Sequence, residues 1–283
     1  MNIQWYPGHM TKAKRAMEEN VKVVDLIIEI VDARAPGATR NPDLAALGRG
    51  KDRLIILNKA DLAEPEGTER WAAWFASQGI RSFVMDARSR RDLKGLLRAI
   101  EEASVKKKAR DQARGILNRP VRAMAAGIPN VGKSTLINTI AGRTAARTGN
   151  RPGVTKGTQW IRLGKSVELL DTPGILWPKF EDPEIGLMIA FLGSIGEMAV
   201  DQEELAGEFF RFLERAGRTE GFTERYGTEP SGRPEEVLSR IALKRSLLLA
   251  GGLPDTRRAA SAVLEDFRAG RLGRICLELP GKL

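Results

Sequence analysis

Apolar residues in the first half of the chain come in short, nearly continuous runs: VVDLIIEIVDA (23–33), DRLIILNKAD (52–61) and RSFVMDA (81–87). Runs of this length, rich in Val and Ile and ending in polar residues, predict strands covered on both faces of a parallel sheet. Helical spacing separates them. MTKAKRAMEEN (10–20) reads as a short amphipathic helix, and further helices are expected over 65–78, with Trp71, Trp74 and Phe75, and over 89–103. Strands and helices in alternation predict βαβ units and a right-handed, doubly wound sheet. The basic stretch VKKKARDQARGILNRPVR (105–122) breaks the pattern. A strand at 121–126 then enters a glycine-rich turn, and a helix follows over 133–142. Residues 143–157, rich in Arg, Gly and Thr, read as a mobile loop; TQWIRL (158–163) and SVELLD (166–171) read as a hairpin pair. Past residue 180 the texture changes to four helical patterns, at 183–193, 200–217, 234–249 and 254–270, separated by loops such as GTEPSGRP (227–234). The expected organisation is an α/β domain over 1–180 and a small all-helical domain over 181–283.

Composition narrows the class. A length of 283 residues suits about two domains, and 42% hydrophobic residues suffice for real cores. No apolar run approaches the ~20 residues of a membrane span, and the start lacks the basic-then-apolar pattern of a signal peptide. A single cysteine, Cys276, excludes an internal disulfide and a multi-cysteine zinc site. A cytoplasmic protein, monomeric and without a membrane partner, is the expectation. A net charge of +10 favours polyanionic partners. Arg211, Arg215, Arg218, Arg225, Arg233, Arg240, Lys244 and Arg245 offer a candidate basic face, with an ordinary solvated helix surface as the alternative.

Three motifs carry chemistry. GIPNVGKS, Gly127 to Ser134, matches G-x-x-x-x-G-K-[ST] between an expected strand and helix, the context a phosphate-binding loop requires. Its glycines let the backbone curl around phosphate, and the N–H groups from Asn130, Val131 and Gly132 through Thr135 bind the anion at the helix start. Lys133 is expected on the β- and γ-phosphates, and the Ser134 hydroxyl on Mg2+. NKAD, Asn58 to Asp61, selects the base. An Asp61 carboxylate accepts from both N1–H and the 2-amine of guanine, whereas adenine would leave it facing a lone pair. Lys59 lays its stem along the base, and Asn58 ties the loop together. DTPG ends another strand: Asp171 is expected to hold Mg2+ through water, and the Gly174 N–H to contact the γ-phosphate. Thr155 is a second hydroxyl candidate for the metal, with Thr158 as its rival, and a backbone N–H at Asp86-Ala87 is placed to meet guanine O6.

The order of these motifs is NKAD, DAR, GIPNVGKS, Thr155, DTPG, a rotation of the Ras-like order. Over residues 20–178 the chain therefore resembles a circularly permuted P-loop GTPase. With its WYPGHMTKAKR start, DARAP (32–36) and helical C-terminal part, it is similar to the RbgA/YlqF family of ribosome biogenesis GTPases. The resemblance implies a GTPase, slow alone and stimulated by its target, that binds GTP and GDP and acts in late maturation of the large ribosomal subunit by contacting rRNA. The alternative is a nucleotide-gated RNA-binding protein of another process, such as tRNA modification or small-subunit assembly, with incidental hydrolysis. Ras-like enzymes carry a water-positioning Gln directly after DxxG; here that position is Ile175. Asn130 resembles the Asn by which some GTPases with such a hydrophobic substitution hold K+ near the phosphates. His9, the lone histidine, is the family's candidate for positioning or activating water, against packing beside Trp5 and Tyr6 or contacting rRNA phosphate.

Overall fold

The computed structural model describes residues 9–116, 119–142, 159–163, 166–177, 180 and 182–281, with the backbone alone for residues 9–13 and 106. Thr155 and Thr158, and the stretch 143–158 as a whole, lie outside the described residues. The chain divides into a unit of Tyr6–Lys179 with Cys276–Leu283 and a unit built on Phe180–Ile275.

The first unit runs α1 (His9–Val23), β1 (Leu26–Asp32), α2 (Pro42–Leu47), β2 (Asp52–Asn58), α3 (Pro65–Ser77), β3 (Arg81–Val84), α4 (Leu93–Ala103), α5 (Val105–Ala113), β4 (Val121–Ala126), α6 (Lys133–Ala141), β5 (Gln159–Leu163) and β6 (Val167–Asp171). Its six strands form one sheet in the order β3-β2-β1-β4-β6-β5. Every neighbouring pair is parallel except β5 and β6. All seven residues of β1 are buried, as its unbroken apolar run requires of a central strand. The chain steps from β1 to β2 to β3 in one direction, then crosses to β4 on the other side of β1. That reversal opens a crevice outside the carboxyl ends of β1 and β4, where doubly wound sheets bind ligands. The register aligns Asp32 with Asn58 and Ala125 with Asp171, so the functional turns leave the sheet at one edge.

Two apolar clusters hold the layers together. Trp71 and Phe75 of α3 pack with Val31, Ile55, Leu57 and Cys276. They lie one helical turn apart with ring centroids 5.7 Å from each other, and each aromatic burial stabilises by about 1.5–3 kcal/mol. Met17 and Val21 of α1 pack with Ile27, Met124, Leu170 and Ile175.

The second unit comprises α7 (Pro183–Phe191), α8 (Gln202–Ala216), α9 (Glu220–Tyr226), α10 (Pro234–Lys244) and α11 (Thr256–Arg268). Its core sets Phe209 at a tilt against Phe267, ring centroids 4.8 Å apart, and Phe210 edge-on to Phe222 at 5.3 Å. Asp201 caps α8 by accepting from the Glu203 and Glu204 N–H groups, and Gly217, at φ 64°, ends it in the left-handed conformation that suits glycine. Asp266 of α11 accepts from Arg225 Nε at 2.7 Å and Tyr226 Oη at 2.8 Å, and pairs with Arg245 and Arg271.

The structure departs from the sequence expectation at several places. The basic stretch does not break the pattern: α5 forms, and Lys107 turns inward to Asp111 at 2.9 Å and Asp25 at 3.8 Å. The short helices α2 and α9 were not expected, and α10 stops at Lys244 because Ser246 takes a left-handed φ of 53°. The chain's last residues also leave the helical unit and return to the sheet, so the expected boundary of 181–283 is corrected at its end. Leu277 N–H donates to Arg34 O at 2.7 Å, and Trp71 Nε1 donates to Glu278 O at 3.3 Å. Cys276 lies so close to Gly67 that a Cβ there would sit 2.6 Å from its Sγ.

Candidate nucleotide site

The loop after β4 enters α6 through Gly132, whose φ of 94° and position against Asn58 exclude a side chain: a Cβ would lie 2.2 Å from Asn58 Nδ2. Asn130 takes a left-handed φ of 62°. These turns gather backbone N–H groups at the start of α6, where the helix dipole favours an anion. Ser134 and Thr135 follow Lys133 in the first turn of α6. Lys133 is buried, and its ammonium donates to Gly127 O at 3.2 Å and Ile128 O at 2.9 Å. Burial lowers its pKa to about 8, with Asp171 opposing the shift.

DTPG docks onto this loop. Thr172 Oγ1 donates to Ala125 O at 2.8 Å, and Ile175 N–H donates to Gly127 O at 3.3 Å. A Cβ on Gly174 would fall 2.8 Å from Pro129 N and 3.0 Å from Lys133 Nζ, so only glycine allows this approach. Both Asp171 carboxylate oxygens are buried, with the Thr172 N–H and the Gln159 side chain among the described groups that favour the ionised form. Burial raises that carboxyl to about 6, although Lys133 pulls it down. A buried acceptor pair beside a phosphate loop fits a hydrated divalent cation. Asp171 and Ser134 are the described residues that would hold Mg2+, which neutralises phosphate charge when bound. Ile175 is 1% exposed and packs into the cluster with Met17 and Val21. Its carbonyl accepts from Asn41 Nδ2 at 3.0 Å.

The base loop is tied to the phosphate loop from the other side. Asn58 Nδ2 donates to Val131 O at 2.7 Å, and Asn58 Oδ1 accepts from the Ala87 N–H at 2.8 Å. Lys59 Nζ donates to Asn130 O at 2.6 Å. Asp61 Oδ1 is buried and unpartnered among the described residues, while Oδ2 pairs with Arg88, which also binds Asp86. An unfilled acceptor is what a guanine N1–H or 2-amine requires. The Ala87 N–H is already committed to Asn58, so guanine O6 would share that donor rather than meet a free one.

Motif reading missed several supporting residues. Asn41 bridges to Ile175, Arg88 holds Asp61 and Asp86, and Asp32 and Arg34 lie beneath Lys59. DARAP and DAR were visible as polar breaks after apolar runs, but nothing local named their partners. The candidate basic face is partly self-neutralised: Arg211 pairs with Glu208, Arg233 with Glu236, and Arg225 and Arg245 with Asp266. His9 opens α1, and its side chain lies outside the described residues. Among the described residues no helix is long and apolar enough to cross a membrane.

Comparison with known proteins agrees with this geometry. Residues 122–206 match the family described as 50S ribosome-binding GTPase. The chain is 40% identical over 281 residues to ribosome biogenesis GTPase A of Bacillus pumilus, covering 99% of each protein. It is 34% identical over 281 residues to the Thermotoga maritima protein of the same name, covering 98% of this chain and 95% of that one. The structure of GNP-bound YlqF from T. maritima superposes with a TM-score of 0.68 at 29% identity, covering 96% of this chain and 100% of that one. With GIPNVGKS, NKAD and DTPG gathered in permuted order at the carboxyl ends of the strands, the chain belongs to the ribosome biogenesis GTPase A (RbgA/YlqF) family and is a GTP-binding P-loop GTPase.

Proposed function

We propose that this GTPase acts as an assembly factor in late maturation of the large ribosomal subunit, and that its nucleotide state gates subunit binding. The observation that carries the reading is the attachment of DTPG. Gly174 and Ile175 lie against the phosphate loop, and within a few residues the chain enters the helical unit at Phe180. Loss of the γ-phosphate releases such a loop in an order–disorder switch, and here the release is passed covalently to the helices. The family description of a 50S ribosome-binding GTPase and the net charge of +10 support rRNA as the polyanionic partner.

Hydrolysis needs a substitute for the missing Gln, because Ile175 has no hydrogen-bonding group and is buried in the core. His9 takes the water-positioning role in this proposal. It starts the helix whose Met17 and Val21 pack against Ile175, about 12 Å and about 18 Å farther along at 1.5 Å per residue. Asn130 takes the K+ role, Thr155 joins Ser134 and Asp171 around Mg2+, and the setting is cytoplasmic. Single-turnover GTP hydrolysis tests this, measured with and without large-subunit precursors, in K+ and in Na+, for the wild type and His9→Ala. Acceleration by particles that is lost in His9→Ala supports it; equal rates with and without particles contradict the assembly role.

A further inference from the structure

Three charged side chains meet behind the base loop. Asp32, at the end of β1, is 1% exposed, and Arg34 is equally buried. Arg34 grips it bidentately, Nε to Oδ1 at 2.9 Å and Nη2 to Oδ2 at 2.8 Å, while the Arg34 N–H donates to Oδ1 at 3.1 Å. The third charge is Lys59, whose Nζ lies 2.9 Å from Asp32 Oδ2 and 2.6 Å from Asn130 O. Strand register makes this meeting obligatory, since Asp32 pairs with Asn58 across β1 and β2 and Lys59 is the next residue. Lys59 also holds a left-handed φ of 60°, which directs its stem across the sheet edge.

The charge count is informative. Asp32 and Arg34 alone would form a neutral buried pair. Adding Lys59 places a second cation on the same carboxylate, a costly arrangement unless the ammonium is wanted there. The carboxylate responds accordingly: burial raises its pKa, but Arg34 and Lys59 outweigh that and hold it well below the usual range. Arg34 is itself fixed from behind, where its carbonyl accepts the Leu277 N–H.

We propose that Asp32 is a positioning residue for guanine-nucleotide binding, holding Lys59 Nζ against the Asn130 carbonyl so that base loop and phosphate loop stand in fixed relation before nucleotide enters. Arg34 keeps the carboxylate in place and ionised. The proposal rests on the reading of NKAD as the base loop.

The test is a double-mutant cycle on GDP affinity, followed with a fluorescent GDP analogue beside thermal unfolding of the same proteins. Lys59→Met is expected to weaken GDP by about 10- to 100-fold, the range of a charge-assisted hydrogen bond. Asp32→Asn is expected to weaken it by about tenfold. The double variant should be no weaker than Lys59→Met within about twofold, because the two residues act through one contact. A purely structural Asp32 would lower the unfolding temperature while leaving GDP affinity unchanged, or its loss would multiply with that of Lys59; either result overturns the proposal. If Lys59→Met itself leaves GDP affinity unchanged, the base-loop reading falls together with the proposal. Should Asp32→Asn fail to fold with Arg34 uncompensated, Asp32→Asn with Arg34→Gln removes both buried charges and enters the same cycle.

Discussion

Glu278 offers a quantitative test of how the C-terminal strap is held. Its carboxylate is 8% exposed. Oε1 accepts from the Gly37 and Ala38 N–H groups, and Oε2 is buried without a partner among the described residues. Burial pushes the carboxyl up from 4.5 to about 7, with the two N–H donors only partly opposing it. Between those values the folded state binds a proton that the unfolded chain has released, so stability falls as pH rises. At about 1.4 kcal/mol per unit the full effect is about 3 kcal/mol, of which roughly 2.5 falls between pH 5 and 8.5. Glu278→Gln keeps an Oε1 acceptor and removes the titration. Guanidinium unfolding followed by fluorescence of Trp71, whose indole touches the strap, should therefore show the variant gaining about 2–3 kcal/mol on the wild type across that pH range. An unfolding free-energy difference that stays constant with pH would refute the argument, whatever its offset at a single pH.

Three further outcomes follow from the same geometry. Gly132→Ala forces a left-handed alanine against Asn58, costing about 1–2 kcal/mol in backbone strain and about 1–3 more if the Asn58–Val131 bridge breaks. Its GDP binding, measured by fluorescence titration, should fall at least tenfold, and unchanged affinity would show that the loops are not locked together. Asp61→Asn presents a donor to guanine N1–H, so competition binding should show a loss of GTP on the order of 10⁴ and a turn towards xanthine nucleotides; retained preference for GTP would disprove the base assignment. Asp266→Ala leaves Arg225, Arg245 and Arg271 without their shared carboxylate. Because the arginines are partly solvated, the helical unit should lose only about 1–3 kcal/mol in denaturant unfolding. No measurable loss would mean the cluster contributes nothing to stability.

The three loop motifs were legible because their chemistry constrains residue type at fixed spacing. Gly132 and Gly174 stand where close neighbours leave no room for a Cβ, and Lys133 is held by the Ile128 carbonyl. The sheet was legible for a similar reason: β1, buried on both faces, has no polar position to interrupt it before Asp32 apart from Glu29, which Arg53 satisfies at 2.7 Å. What escaped depends on partners far away in sequence. Lys107 belongs to the basic stretch, and its buried ammonium is met by Asp111 one helical turn on, by the Arg119 and Pro120 carbonyls, and by Asp25 from the turn before β1. Cys276 and Leu277 looked like the end of a helical domain, whereas their partners are Gly67 and Arg34. Asp32 is the sharpest case. It ends an apolar run as many strand-end residues do, and its role emerges only when register sets it beside Lys59.

The most direct test of the central claim is the affinity of the intact protein for large-subunit precursors, measured by sedimentation with GDP and with a non-hydrolysable GTP analogue at one fixed salt concentration. The GTP analogue is expected to strengthen binding at least tenfold over GDP, since under the proposed gating a γ-phosphate contact at Gly174, which lies against Pro129 and Lys133, would fix the segment that leads to Phe180. Equal affinity in the two nucleotide states would contradict it.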